Sequence, residues 1–273
     1  MRLIFLGDVV GKAGRDALLR ELPLLRDRYQ PDLVILNGEN AAHGFGITEE
    51  IYQQLRDAGA DVITLGNHSF DQREALVFIE REPELLRPVN YPAETPGRGV
   101  ILAPTKTGRQ VLVISVMGRV MIEPVLDDPF AAVEQEIALS PLRERADAIV
   151  IDMHAEATSE KMAMGHFVDG RASLVVGTHT HVPTADHQIL PGGTAYISDI
   201  GMCGDYNSVI GMDKAEPLNR FLRKLPNQRM EPATGPATVS GIAVETDDET
   251  GLALKIAPIR IAGRLQPALP DFW

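Results

Sequence analysis

The sequence predicts an α/β fold. Three observations carry this reading. Short apolar runs end in a glycine and a polar tip, and helical stretches follow the early ones. The order strand, tip, helix recurs, as in βαβ sheets, whose ligand sites lie beyond the carboxyl ends of the strands. The chain also closes on two alternating runs, which predict an antiparallel hairpin.

Arg2 to Leu6 reads as a buried strand ending in Gly7-Asp8. A helix is predicted from about Gly14 to Tyr29, with a kink at Pro23, where a backbone donor is missing. Leu33 to Leu36 is the second apolar run and ends in Asn37-Gly38-Glu39-Asn40. A helix from about Thr48 to Ala58 follows, with Thr48 as its N-cap and Glu49 and Glu50 in the favourable first turn. Asp61 to Leu65 leads to Gly66-Asn67-His68. Arg87 to Lys106 is rich in Pro and Gly and reads as loop with short strands. Val111 to Val116 is a strand, and Asp128 to Arg145 contains a helix. Two more strands, Ala148 to Asp152 and Leu174 to Val176, lead to His154 and to His179 and His181. Thr194 to Ser198 is a short strand. Met202 to Pro236 reads as an irregular excursion with a short helix near Leu218 to Leu225. Ala237 to Thr246 and Leu252 to Ile261 form the closing hairpin around Asp248-Glu249-Thr250-Gly251. No repeat or compositional break marks a linker, so residues 1–273 are expected to form one domain.

The composition is that of an ordinary globular protein, 44% hydrophobic and 23% charged over 273 residues. No apolar run reaches the length of a membrane span. The N-terminus lacks the apolar region and cleavage site of a secretory signal, so a cytoplasmic location is expected. A single cysteine, Cys203, permits no intrachain disulfide and reads as a small buried side chain, since no base lies beside it. The net charge of −12 argues against stable, sequence-independent nucleic-acid binding but not against a phosphate-bearing small molecule, because metal ions can supply local positive charge.

The chemistry sits at the tips: Asp8, Glu39-Asn40, Asn67-His68, His154 and His179-Thr180-His181. Singly, Asp8 and Glu39 read as helix caps or ion-pair partners, and Asn67-His68 as a turn. His179 and His181 are expected to point the same way from an extended tip. Together, five tips at one edge of a sheet would converge, and buried carboxylates and imidazoles need a partner or a cation. That set suits a dinuclear centre in which a carboxylate such as Glu39 spans two ions and the bridging water becomes the nucleophile. Oxygen and imidazole donors without thiolate suit Mn, Fe or Zn. His43 and Phe45 could reach a substrate but read equally well as surface loop and packing. His166 and His187 read as structural or exposed. The glycines from Gly7 to Gly14 match neither the dinucleotide nor the Walker pattern.

In order, Gly7-Asp8, Gly38-Glu39-Asn40, Gly66-Asn67-His68, His154 and Gly177-Thr178-His179-Thr180-His181 resemble the calcineurin-like metallophosphoesterases. Within them the chain is similar to the bacterial YmdB-like 2',3'-cyclic-nucleotide phosphodiesterases, over nearly its whole length. Val10 stands where the superfamily has a His, Glu39 where it has a bridging Asp, and Ser69 where an acidic residue follows Asn-His. The subgroup shares these departures. The resemblance implies a four-layer α/β/β/α sandwich with two mixed sheets. It implies two metal ions, one held by Asp8, Glu39, Asn40 and His181, the other by Glu39, Asn67, His154 and His179. Fe or Mn is favoured over Zn because an amide replaces an imidazole. His68 is left as general acid or charge stabiliser. The implied activity is hydrolysis of a 2',3'-cyclic nucleotide. The alternatives are a broader phosphomonoesterase or nuclease, or a metal-binding regulatory protein with little turnover. The sequence leaves self-association into a homo-oligomer open.

Overall fold

A computed structural model describes all 273 residues. The chain runs β1 (Arg2–Leu6), β2 (Asp8–Val9), α1 (Gly11–Tyr29), β3 (Leu33–Asn37), α2 (Glu49–Asp57), β4 (Val62–Thr64), α3 (Ala75–Phe78), β5 (Leu85–Leu86), β6 (Val100–Pro104) and β7 (Gln110–Met117). It continues with α4 (Pro129–Leu139), β8 (Ala148–His154), α5 (Thr158–Phe167), β9 (Leu174–Thr178), β10 (Gln188–Ile189), β11 (Ala195–Ile197), β12 (Met202–Cys203), α6 (Ala215–Arg223), β13 (Val239–Thr246) and β14 (Ala253–Ile261).

The strands form two mixed six-stranded sheets, ordered β14-β13-β1-β3-β4-β5 and β10-β11-β9-β8-β7-β6. In the first, the parallel strands β1, β3, β4 and β5 carry the antiparallel β13 and β14 on one side; in the second, the parallel β7, β8, β9 and β11 are flanked by antiparallel β6 and β10. Strand alternation divides the apolar residues between three cores. Leu3, Phe5, Leu33 and Ile35 of the first sheet meet Val111, Val113, Val150 and Val176 of the second. The intervening Ile4, Leu6, Val34 and Leu36 turn outward onto Leu18 and Leu22 of α1 and Tyr52 and Leu55 of α2. On the far side, Leu112, Ile114, Ile149 and Ile151 pack on Val133 and Ile137 of α4 and Met164 of α5. The result is the α/β/β/α sandwich.

Several elements differ from the sequence reading. Helix α1 starts at Gly11, earlier than predicted, and carries Pro23 inside it at an exposed position between the buried Leu22 and Leu25. Helix α4 lies within the predicted stretch from Asp128 to Arg145; Asp128 caps it, accepting from the Phe130 and Ala131 amides, and Pro129 opens it. Helices α3 and α5 were not expected, since neither segment carries a clear apolar period. The excursion after Met202 is anchored at its start: β12 pairs in parallel with β2, so Asp8 lies within a two-stranded ribbon. Its helix spans 215–223 rather than 218–225. Cys203 is buried in that ribbon, where burial pushes its thiol up to about 12. No helix is long and apolar enough to cross a membrane.

Ile35 is 1% exposed between the two sheets, whereas Leu24 on α1 is 58% exposed. Ile35→Ala is expected to cost about 2–5 kcal/mol, and Leu24→Ala less than about 0.5 kcal/mol, both read from urea denaturation midpoints.

Candidate metal centre

The predicted tips come from both sheets, not from one edge of a single sheet. Asp8 lies in β2, Glu39 and Asn40 in the turn after β3, and Asn67 and His68 in the turn after β4. His154 ends β8, and His179 and His181 follow β9. Asp8, Glu39, Asn40, His154 and His181 are buried.

One group of contacts surrounds His181. Its Nδ1 lies 2.7 Å from the carbonyl of Ile210. A carbonyl only accepts, so Nδ1 carries the proton and Nε2 presents a lone pair. That nitrogen faces Asp8 Oδ2 at 3.4 Å and Asn40 Oδ1 at 3.2 Å. The Asn40 amide is fixed this way round because its Nδ2 donates to the Gly44 carbonyl, 3.0 Å away. Burial lowers the pKa of His181, keeping the ring neutral. Three lone-pair-bearing atoms thus face one another, and neither the His181 ring nor the Asn40 amide puts a proton between them. The second oxygen of Asp8, Oδ1, is buried without a hydrogen-bond partner. Burial drives the Asp8 pKa well above the usual carboxylate range, opposed by His154 and reinforced by Asp199, Glu39 and Asp152.

A second group surrounds His154. Its Nε2 lies 3.1 Å from Glu39 Oε1 and 3.0 Å from Asn67 Oδ1. Its Nδ1 lies 2.8 Å from Thr178 Oγ1, whose hydroxyl donates to Asp152 Oδ1 at 2.6 Å. The threonine has one proton to give, so it accepts from Nδ1 and directs Nε2 toward Glu39. Asp152 is buried and further held by the Thr64 hydroxyl and the Asn37 amide. Burial would lower the pKa of His154, but the Glu39 carboxylate overrides it and lifts the ring to about 9. Burial would likewise raise Glu39, but His154 holds it at about 2. The ring of His179 packs 4.8 Å from that of His154, and burial together with the His154 charge lowers it to about 3. Glu39, His154 and His179 offer donor atoms that all lie within 4.8 Å of one another, a grouping able to hold a metal ion.

His179 and His181 do not share the expected extended tip. Both sit at left-handed backbone angles, with φ of 92° and 65°, and their rings go to different groups. The segment is held by a buried ion pair: Asp199 Oδ2 accepts from Lys161 Nζ at 2.9 Å and from the backbone and hydroxyl of Thr180. The amide of His179 donates to Asp8 Oδ2 at 2.8 Å, joining the two groups.

His68 stands at the rim, with its side chain 26% exposed. Its amide donates to Glu39 Oε2, and its Nδ1 lies 2.8 Å from Asp71 Oδ2, leaving Nε2 free. Phe45 meets the ring edge-on at 5.1 Å. The acid that orients His68 is therefore three residues further on, not at the Ser69 position, and Ser69 is buried against the Gly66 carbonyl. Asp71, Glu156, which lies 3.2 Å from His179 Nε2, and the Lys161–Asp199 pair were not singled out by the sequence pattern. Only the i, i+3 spacing of His68 and Asp71 hinted at one of them. His43 and His166 are exposed and His187 half-buried, all outside both groups.

Two mixed sheets with helices outside, and nitrogen and oxygen donors gathered at their common carboxyl end, define the class: a hydrolase of the metallophosphoesterase fold. The crystal structure of a phosphatase from Mycoplasma pneumoniae superposes with a TM-score of 0.88 at 35% identity, over 96% of this chain and 93% of that one. A Thermus thermophilus protein of known structure gives 0.88 at 44% identity, over 97% and 100%. A 2',3'-cyclic-nucleotide 2'-phosphodiesterase of Bacillus subtilis (strain 168) is 49% identical over 261 residues, 96% of this chain and 97% of that protein. The family model described as YmdB-like protein matches residues 4–259. The chain belongs to the YmdB-like protein family.

Gly66 has no room for a side chain, because a methyl group there would overlap His154 Nε2 and Glu39 Oε2. Gly66→Ala is expected to push Glu39 from His154. In metal-free protein the imidazole pKa should then fall from about 9 toward its ordinary 6.5, read by NMR titration of the ring. An unchanged titration would mean that Glu39 is not what lifts it.

Proposed function

We propose that the chain hydrolyses the cyclic phosphodiester of 2',3'-cyclic nucleotides with the help of two bound metal ions. The observation that carries this is the set of facing lone pairs of Asp8, Asn40 and His181, with Asp8 Oδ1 left without a donor. A buried arrangement of that kind is unfavourable unless a cation sits among the atoms. Asp8, Asn40 and His181 would hold one ion, and Asn67, His154 and His179 the other, with Glu39 between them. The donors are oxygen and imidazole with no thiolate, and the Asn40 amide stands in place of an imidazole, which favours Fe or Mn over Zn. When bound, the ions supply charge neutralisation at the phosphoryl oxygens and lower the pKa of a water toward neutrality.

The chain's own residues do the rest. Thr178 and Ile210 pin the protonated nitrogens of His154 and His181, so both rings present Nε2 inward. His68, turned by Asp71, offers Nε2 at the rim. There it would give a proton to the departing ribose oxygen as water adds to phosphorus and the P–O2' bond breaks. The B. subtilis relative is named for cleavage of the 2' ester, which supports this choice of bond.

Assay of a 2',3'-cyclic nucleotide, p-nitrophenyl phosphate and single-stranded RNA side by side tests the reading. The cyclic diester should be the preferred substrate, and Glu39→Gln should reduce its hydrolysis at least a thousandfold. Preference for the monoester would refute it. Metal uptake offers a second check. His154, at about 9 in the metal-free protein, is protonated at pH 7.5 and must lose that proton to bind. Manganese binding should therefore release about one proton, and affinity should rise with pH until about 9. Calorimetry in buffers of different ionisation enthalpy reads this directly.

A further inference from the structure

Beside the metal centre lies a feature that the cyclic ester alone does not use. A cavity of about 360 Å³ opens between Lys12, His43 and the segment from Arg229 to Thr234. A second, of about 490 Å³, is bounded by Phe45, Asp71, Gln72, Arg220, Arg229 and Met230. Arg229 and Met230 line both, so the two adjoin at these residues as the two ends of a trough beside the 43–45 loop.

Both ends of the trough are tied to the proposed chemistry. Phe45 packs edge-on against His68, and Asp71 holds His68 Nδ1, so the second cavity opens beside the proton donor. Gln72 Nε2 donates to the Phe45 carbonyl at 2.7 Å and fixes that wall. At the other end, the loop that carries His43 is fastened to Asn40, which accepts from the Gly11 and Gly44 amides and donates to the Gly44 carbonyl. Pro232 closes over Gly11 and Gly44, where a Cβ on either would collide with it or crowd it.

Three cations line the trough in a chain of net charge −12. Arg229 is exposed and has neither an ion-pair nor a hydrogen-bond partner, so its guanidinium is free to take an anion. Lys12 is paired only with Asp16 in an exposed i, i+4 contact, which is easily exchanged. Arg220 adds a third cation but is held by Glu216. Two carboxylates also line the trough: Asp71 is committed to His68, and Glu231 faces the Lys12 end. A 2',3'-cyclic mononucleotide has one phosphate, and the metal centre would take it. Arg229 would then have no phosphate to meet, and Lys12 only its exposed contact with Asp16.

We propose that the trough is a subsite for a further phosphate on the 5' side of the nucleoside that bears the cyclic ester. The preferred substrate is then a 2',3'-cyclic phosphate that carries at least one more phosphate, as a 5'-phosphorylated nucleotide or as the 3' end of a short RNA. The inference rests on the phosphodiesterase reading above. It requires no broad nucleic-acid surface, because the basic strip is short and local.

Three substrates test it with the manganese-loaded protein: a 2',3'-cyclic nucleotide with a free 5'-hydroxyl, the same compound with a 5'-phosphate, and a tetraribonucleotide ending in a 2',3'-cyclic phosphate. The second and third should show kcat/KM at least tenfold above the first, through a lower KM at similar kcat, as uniform binding requires. A gain for both assigns the subsite to a single 5'-phosphate. A gain for the tetranucleotide alone assigns it to the RNA chain. In Lys12→Met/Arg229→Met, with both changes at exposed positions, the ratio should fall toward one. Equal kcat/KM for all three in the unaltered protein overturns the proposal, as does a preference that persists in the double variant. If none of the three is cleaved, the phosphodiesterase reading fails and binding decides the subsite. A fluorescent tetraribonucleotide with a 3'-phosphate should bind the double variant at least tenfold more weakly by anisotropy, and equal affinities overturn the subsite.

Discussion

Everything at this site depends on one electrostatic constraint: Asp8, Glu39 and Asp152 are all withdrawn from water at the end of two apolar sheets. A buried carboxylate must find charge or donors close by, because the interior screens little and solvates less. Asp152 finds donors in Thr64, Thr178 and Asn37. Glu39 finds the imidazole of His154 and the amide of His68. Asp8 finds one amide, that of His179, and is otherwise short of partners. The deficit at Asp8 and the surplus of lone pairs beside it are what would suit the pocket to the proposed cations.

The same constraint explains why the supporting residues are so well defined. An imidazole with two distinct nitrogens can serve a cation only if its proton is kept on the other side. Thr178 does this for His154, and the Ile210 carbonyl does it for His181. The left-handed backbone at His179 and His181 is an unfavourable conformation for residues with side chains. It persists because Asp199 and Lys161, themselves a buried pair, fasten Thr180 between them. The second sheet is thus more than a packing layer. It brings His154 and the His179–His181 turn against tips that belong to the first sheet.

Much of this was legible in the chain. The apolar runs located most of the central strands, and each glycine-and-polar tip named a residue that the fold carries to the common end. The supporting residues were less legible. Asp152 looks like one polar residue at the end of a buried strand, Asp71 like a loop acid, and Lys161 like a charge on a helix. Each acquires its role only from a neighbour distant in sequence, or in the case of Asp71 from the way a turn closes. The trough was harder still, because Lys12, the 43–45 loop and Arg229 come from three separate segments of the chain.

By itself the sequence determined the periodicities that make strands and helices, and the donor types available at their ends, because those depend on local spacing and side-chain chemistry. It also restricted the donor set to oxygen and imidazole, since its only cysteine lies outside it. Only the tertiary structure decided that two sheets rather than one supply the tips, which nitrogen of each histidine faces inward, and which acid orients His68. Those outcomes rest on contacts between residues far apart in sequence and on turn geometry. Burial then sets their strength, and no local pattern encodes it.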